Sequence, residues 1–250
     1  MGSQRRSAAA AEEPNSMQRP DMHSNNYKVE VSILELFERF TFSILPCQLE
    51  LARASIKRQG ELWGKSFVFD RPSPFDVRLI YNSPDGPDRA PAVNIGILLS
   101  EVEGVEGRKT LFVSSVADGY SSMITCISRE IPGTHLTFAV SRPKIRYPGC
   151  SFRAIRDGET VRTVYAMLDN SWVFFERGSP LPFEEVDLYS ARRKRDRLSV
   201  DILSSYIGRL GYGSLKTEFW IRTTAPAQLM ATNGFRIGGA QETQIDRSPQ

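Results

Sequence analysis

SFRAIRDGETVRTVYAMLDNSWVFFER, the stretch from Ser151 to Arg177, decides the fold. Asp157-Gly158 is a two-residue hairpin signal, because a type I′ turn needs positive φ at both central positions. With that pair as the loop, Arg156 faces Glu159, and counting back places Arg153 opposite Arg162. Asp169-Asn170 reads as a second two-residue loop, which places Arg162 opposite Arg177. Three arginines then share one row of an antiparallel meander. Like charges facing each other across a ladder destabilise it by roughly 0.2–1 kcal/mol per pair. The row therefore calls for a carboxylate from elsewhere in the chain or for an anionic ligand. On the opposite face the same count brings Met167 to Trp172 and Tyr165 to Phe174, which is core material, and leaves Glu159 and Glu176 unable to neutralise the row.

Working outward, the segment from Phe67 to Glu185 is rich in strand patterns. Expected strands are 67–70, 77–81, 93–100, 110–116, 123–129 and 136–141, followed by the meander. Asp118-Gly119 is a second hairpin signal, and Asp85-Gly86 between Pro84 and Pro87 marks a longer loop. Short spacings with no helical crossover argue for antiparallel pairing. Upstream, Val29, Val31 and Ile33 alternate as a strand does, while Ser32 and Glu35 fit a capping box, so a strand followed by a short helix satisfies both. Pro46 to Gln59 reads as a helix with Gly60 as its stop, and Leu198, Ile202, Leu203, Tyr206, Ile207 and Leu210 mark one face of another. Residues 215–222 read as a last strand. The expectation is an α+β fold: N-terminal helices, a mainly antiparallel sheet of eight or more strands, and a long C-terminal helix packed on it. Residues 27–230 form the folded body. Residues 1–26 and 231–250 read as loose tails, with Met1, Met17 and Met22 as alternative starts.

The 250-residue chain is 40% hydrophobic and 24% charged, an ordinary globular balance. Its net charge of +3 is too small to argue by itself for a polyanion partner. No apolar run approaches the roughly 20 residues that span a bilayer, and no membrane partner is expected. Cys47, Cys126 and Cys150 are too few and too scattered for a disulfide framework or a zinc site, so three free thiols in a reducing cytoplasm are expected. No metal and no cofactor are implied.

Two basic segments stand out. Arg142, Lys144 and Arg146 share one face if the strand at 136–141 continues, and then read as either a charged sheet edge or a set of phosphate contacts. The run Arg192-Arg193-Lys194-Arg195, with Arg197, follows Glu184, Glu185 and Asp187. Acids before cations suit a helix that starts near Glu184, with Lys194 and Arg195 on its buried side. Gly60 to Ser66 imitates a phosphate loop but has three residues between its glycines where four are needed. Only His23 and His135 are present, and no hydrolase motif accompanies them. Paired-carboxylate chemistry would draw on Asp70, Asp76, Glu101, Asp169 and Glu176.

The function expected from these residues is a non-enzymatic binding module for an anionic small molecule or an acidic peptide, with Arg153, Arg162 and Arg177 as its contacts. Arg162→Ala is then expected to abolish binding and leave the fold intact. The alternatives are a nucleic-acid-binding protein using 142–146 and 192–197, and a carboxylate enzyme in a sheet-lined cup.

Overall fold

The computed structural model describes residues 32–81 and 94–238. The expected N-terminal tail, the loop at Asp85-Gly86, His23 and the last residues of the C-terminal tail lie outside the described residues. Nine strands form one antiparallel sheet: β1 (Arg39–Leu45), β2 (Phe67–Asp76), β3 (Gly96–Gly104), β4 (Gly107–Ser114), β5 (His135–Ser141), β6 (Gly149–Arg156), β7 (Glu159–Asp169), β8 (Ser171–Arg177) and β9 (Ile221–Thr232). Their order is β2-β9-β3-β4-β1-β5-β6-β7-β8, so β2 and β8 are the edges. The helices are α1 (Ile33–Leu36), α2 (Leu49–Leu62), α3 (Ser121–Glu130), α4 (Val200–Arg209) and α5 (Thr217–Trp220). The α+β class and the antiparallel sheet stand as the sequence implied.

Alternation along the strands sorts side chains onto two cores. One face carries Phe40, Phe42, Phe138, Phe152 and Val164 beneath α4, α5 and the loop at Phe183. Trp220 closes it, with its ring 4.6 Å from both Phe40 and Phe42. The other face carries Leu45, Ile97, Leu99, Phe112 and Met230 beneath α2 and α3, which bury Ala52, Ile56, Met123, Ile124 and Ile127. Helices thus cover both faces, but α2 and α3 reach no further than β6, through Ile155. Beyond it, on that side, no helix among the described residues covers β7 and β8. No helix among the described residues is long and apolar enough to cross a membrane.

Several expectations need correction. Residues 123–129 are helix: Met123, Ile124 and Ile127 are all fully buried, at i, i+1 and i+4, which is one face of a helix and two faces of a strand. Asp118-Gly119 is not a hairpin. Gly119 (φ 70°) and Tyr120 (φ 59°) turn the chain from β4 into α3. Val77–Leu79 is a 3-10 turn capped by Asp76, and Thr217–Trp220 is helical before β9 begins. The long C-terminal helix is not there. α4 has ten residues, and residues 184–198 fold as two 3-10 turns, Val186–Ser190 and Lys194–Asp196, with Lys194 and Arg195 exposed. Apolar periodicity begins only at Leu198, so nothing upstream holds a helix against the sheet.

The capping box is present. Ser32 accepts from the Leu34 amide at 3.3 Å, and Glu35 reaches back to the Ser32 amide. α2 starts at Leu49 and runs through Gly60, whose missing side chain admits Lys65 O and the Phe67 ring.

Candidate functional site

The meander realises its first turn as expected, with Asp157 (φ 52°) and Gly158 (φ 80°) both left-handed and Arg156 opposite Glu159. The register then slips. Ile155 pairs with Thr160 and Ala154 with Arg162, so Val161 is an extra residue in β7 and a β-bulge. At the second turn Asp169 pairs with Ser171 around Asn170 (φ 54°), a one-residue shift from the expected loop that places Arg177 opposite Thr163. Each slip of one residue moves a side chain to the other face. The row of three arginines therefore does not form. Arg153 and Arg177 share a row with Thr163 between them, and Arg162 points to the opposite side.

On that opposite side Arg162 is the centre of a buried ionic cluster. Its side chain is 1% exposed and that of Glu184 is fully buried. Arg162 Nε donates to Glu184 Oε1 at 3.0 Å and Nη2 to Oε2 at 2.6 Å. Nη1 donates to Gly178 O at 2.7 Å, and Nη2 also reaches Glu176 Oε2 at 2.8 Å. Glu184 accepts further from the Leu181 amide and the Tyr189 hydroxyl. Burial opposes the guanidinium charge, but Glu184 and Glu176 overcome it, and the Arg162 pKa is raised. The one-residue turn at Asn170 is what places Glu176 on the arginine's face, contrary to the simple pairing count.

The two basic segments separate in the same way. β5 ends at Ser141, so Arg142, Lys144 and Arg146 lie in a loop and share no strand face. β5 is interior to the sheet, which removes the edge reading as well. Arg142 is committed to the carbonyls of Leu34 and Glu35, and Arg146 lies over the Tyr147 ring at 5.1 Å. Arg192, Arg193, Lys194 and Arg195 are exposed beside β8, while Arg197 donates to Ala191 O and covers the Phe174 ring at 5.4 Å.

The proposed carboxylates are each taken up separately. Asp70 accepts from Arg53, Lys57 and Gln228; Asp76 from Arg78; Glu101 from the Leu49 amide; Glu176 from Arg162. Asp169 is exposed at the β7–β8 turn. His135 is fully buried at the start of β5, and burial holds its ring down at about 4, so it is neutral near pH 7. No group of His, Cys, Asp or Glu among the described residues could hold a metal ion.

A site-like cleft among the described residues lies on the sheet face at the border of the α2–α3 layer. It has a volume of about 270 Å³ and is floored by Thr41 of β1, Thr137 and Ala139 of β5, and Ser151 and Arg153 of β6. Its wall is Ala117, Asp118 and Ser121, where α3 begins. Asp118 accepts from the Tyr120 amide at 3.0 Å and from the Ser121 hydroxyl, which fixes the turn. Tyr120, the N-cap of α3, offers no side-chain acceptor to the first helical turn. Arg153 is half-buried, and among the described residues it has no carboxylate partner. Of the three expected contacts it alone lines this cleft. Arg177 lies two strands away in the same row, about 10 Å across the sheet at the usual strand spacing. The cleft has a signal in the sequence. Thr41 and Ser43, Thr137 and Ala139, Ser151 and Arg153 are small or polar residues at one parity of three strands whose other parity is aromatic or aliphatic. Comparison with known proteins finds no family model that matches the chain, and no similar curated protein or solved structure.

Proposed function

We propose that the protein is a non-enzymatic binding module for a small anionic ligand seated in the cleft between Arg153 and the start of α3. The observation that carries this reading is Arg153: a half-buried guanidinium with no acidic partner, set among hydroxyl side chains. A guanidinium fork matches a carboxylate or phosphate bidentately. Thr41, Thr137 and Ser151 add neutral hydroxyls around it. The first turn of α3 presents amides and the positive end of its dipole at the same wall. The volume suits a ligand of few heavy atoms, since pockets for larger ligands span roughly 300–1,000 Å³. The single carboxylate of the lining already accepts two hydrogen bonds, which favours binding over proton transfer.

The test is calorimetric titration of the purified protein with inorganic phosphate and with malonate, on the native chain and on Arg153→Gln. A hydrogen bond to a charged group contributes about 1.5–3 kcal/mol, so the variant should lose at least tenfold in affinity with its melting temperature unchanged. Equal affinity in the two proteins, or no binding of either anion to the native chain, defeats the proposal.

A further inference from the structure

The two edges of the sheet are built differently. β2 carries Pro72 and Pro74 and is broken by register shifts near both ends, devices that stop another strand from pairing there. β8, Ser171–Arg177, has neither. Its pairing with β7 is continuous, it contains no proline or lysine, and Trp172 to Phe175 are all apolar. No backbone hydrogen bond from outside the β7–β8 ladder reaches it among the described residues. Beside it, against the face that carries Trp172, Phe174 and Glu176, lies the 3-10 turn Lys194–Asp196 with the basic run. Arg192, Arg193 and Lys194 are exposed and unpaired among the described residues, and Arg195 has only Asp196 at 3.5 Å.

We infer that β8 is the docking edge for an extended acidic segment of a partner protein, which adds to the sheet as a tenth strand. About half of the β8 residues point their amide and carbonyl groups outward, as any edge of an antiparallel sheet does, and these supply the affinity. Alternation of the added strand supplies the selectivity. Carboxylates at every second position project over the basic run, while the intervening apolar residues fall beside Val173 and Phe175 on the other face. Phe175, stacked on Tyr165 at 5.2 Å and 41% exposed, gains cover from such a strand. A second copy of this chain fits poorly. Pairing two β8 edges antiparallel about a twofold axis normal to the sheet brings both basic runs onto one face, where they repel. This surface is separate from the cleft at Arg153.

The probe is a fluorescein-labelled, end-blocked peptide of about ten residues alternating Glu and Val, followed by anisotropy. Two further versions carry N-methyl groups on all the Glu amides or on all the Val amides. Backbone pairing uses one set and leaves the other in solvent, so one methylated peptide should bind as the parent does and the other should not. The exposed charge reversals Arg192→Glu, Arg193→Glu and Lys194→Glu together should weaken binding at least tenfold with an unchanged melt, and Arg153→Gln should leave it unaltered. Lack of binding by the parent peptide, equal behaviour of the two methylated peptides, or insensitivity to the charge reversals would each overturn the proposal. So would an oligothymidylate that binds the basic run more tightly than the peptide, or a concentration-dependent dimer that the peptide fails to dissociate.

Discussion

Replacing Arg162 tests whether the corner where β7 leaves its hairpin is held by charge. Arg162→Met keeps much of the side chain's length and removes its five nitrogen contacts, leaving Glu184 fully buried with only the Leu181 amide and the Tyr189 hydroxyl as donors. Breaking a buried pair from one side typically costs about 3–5 kcal/mol. For a chain of this size about 1 kcal/mol shifts the melting temperature by roughly 2–4 °C, so a fall of roughly 6–20 °C is expected. The three partners should rank by what remains after each change. Glu184→Gln leaves Arg162 with Glu176 at 2.8 Å and should cost less than Arg162→Met. Glu176→Gln removes a partner that is 40% exposed and should cost no more than about 1 kcal/mol. Denaturant unfolding of both single variants and of Arg162→Met/Glu184→Gln then gives the coupling, expected at about 1–3 kcal/mol for groups in one network. A loss below about 0.5 kcal/mol for Arg162→Met, the range of an ordinary surface substitution, would refute the reasoning. So would strict additivity in the double variant. The expectation drawn from the sequence, that Arg162 could be removed without harm to the fold, is reversed.

Stability should also fall in mild acid because of His135. Its folded-state pKa is depressed by burial from 6.5 to about 4, so below pH 6.5 the unfolded chain binds a proton that the folded chain refuses. The loss accumulates from about pH 6.5 down to pH 4 and approaches 3 kcal/mol. His135→Leu should flatten urea-derived stability across that window; an unchanged slope would show that the ring titrates freely. Glu130, held down at about 2 first by Arg58, gives stability that is lost only at lower pH, as the medium falls from about 4.5 toward 2. The thiols should also separate. Burial pushes Cys47 up to about 11 and Cys150 to about 12, whereas Cys126 is half-buried on α3. Iodoacetamide at pH 8 should therefore label Cys126 first in the native protein and the other two only in denaturant, as peptide mapping would report. Equal rates at all three would contradict the packing around Leu45 and Val140.

The sequence was legible where local chemistry and the long-range fold agree. Asp157-Gly158 formed its turn because no residue but glycine fits so readily at the second left-handed position, and Ser32 with Glu35 closed their box within four residues. The strand expected over 136–141 formed as β5. The bulge at Val161 was not legible. A β-branched residue in an alternating strand looks like one more strand residue, and Glu184, against which Arg162 is buried, stands outside the meander altogether. The bulge and the one-residue turn at Asn170 together dissolve the expected row. α3 is a different case: the strand expected over 123–129 is a helix, because Met123, Ile124 and Ile127 carry a helical apolar period in a segment short enough to pass for a strand. The cleft could have been found from parity, but only with the strand order in hand, since β1 and β5 are neighbours in space and some ninety residues of sequence separate them.

β9 has a consequence for how the protein must be made. It pairs with β2 over Phe67–Asp76 and with β3 over Gly96–Leu99, yet among the described strands it is the last to leave the ribosome. Until residues 221–232 emerge, β2 has no partner among the described strands and the apolar run Ile97-Leu98-Leu99 stands at an open edge, while β4, β1 and β5 to β8 already have theirs. A nascent chain stalled before Ile221 is thus a nearly finished sheet with a sticky margin, the state that chaperones recognise and that aggregates when synthesis outruns them.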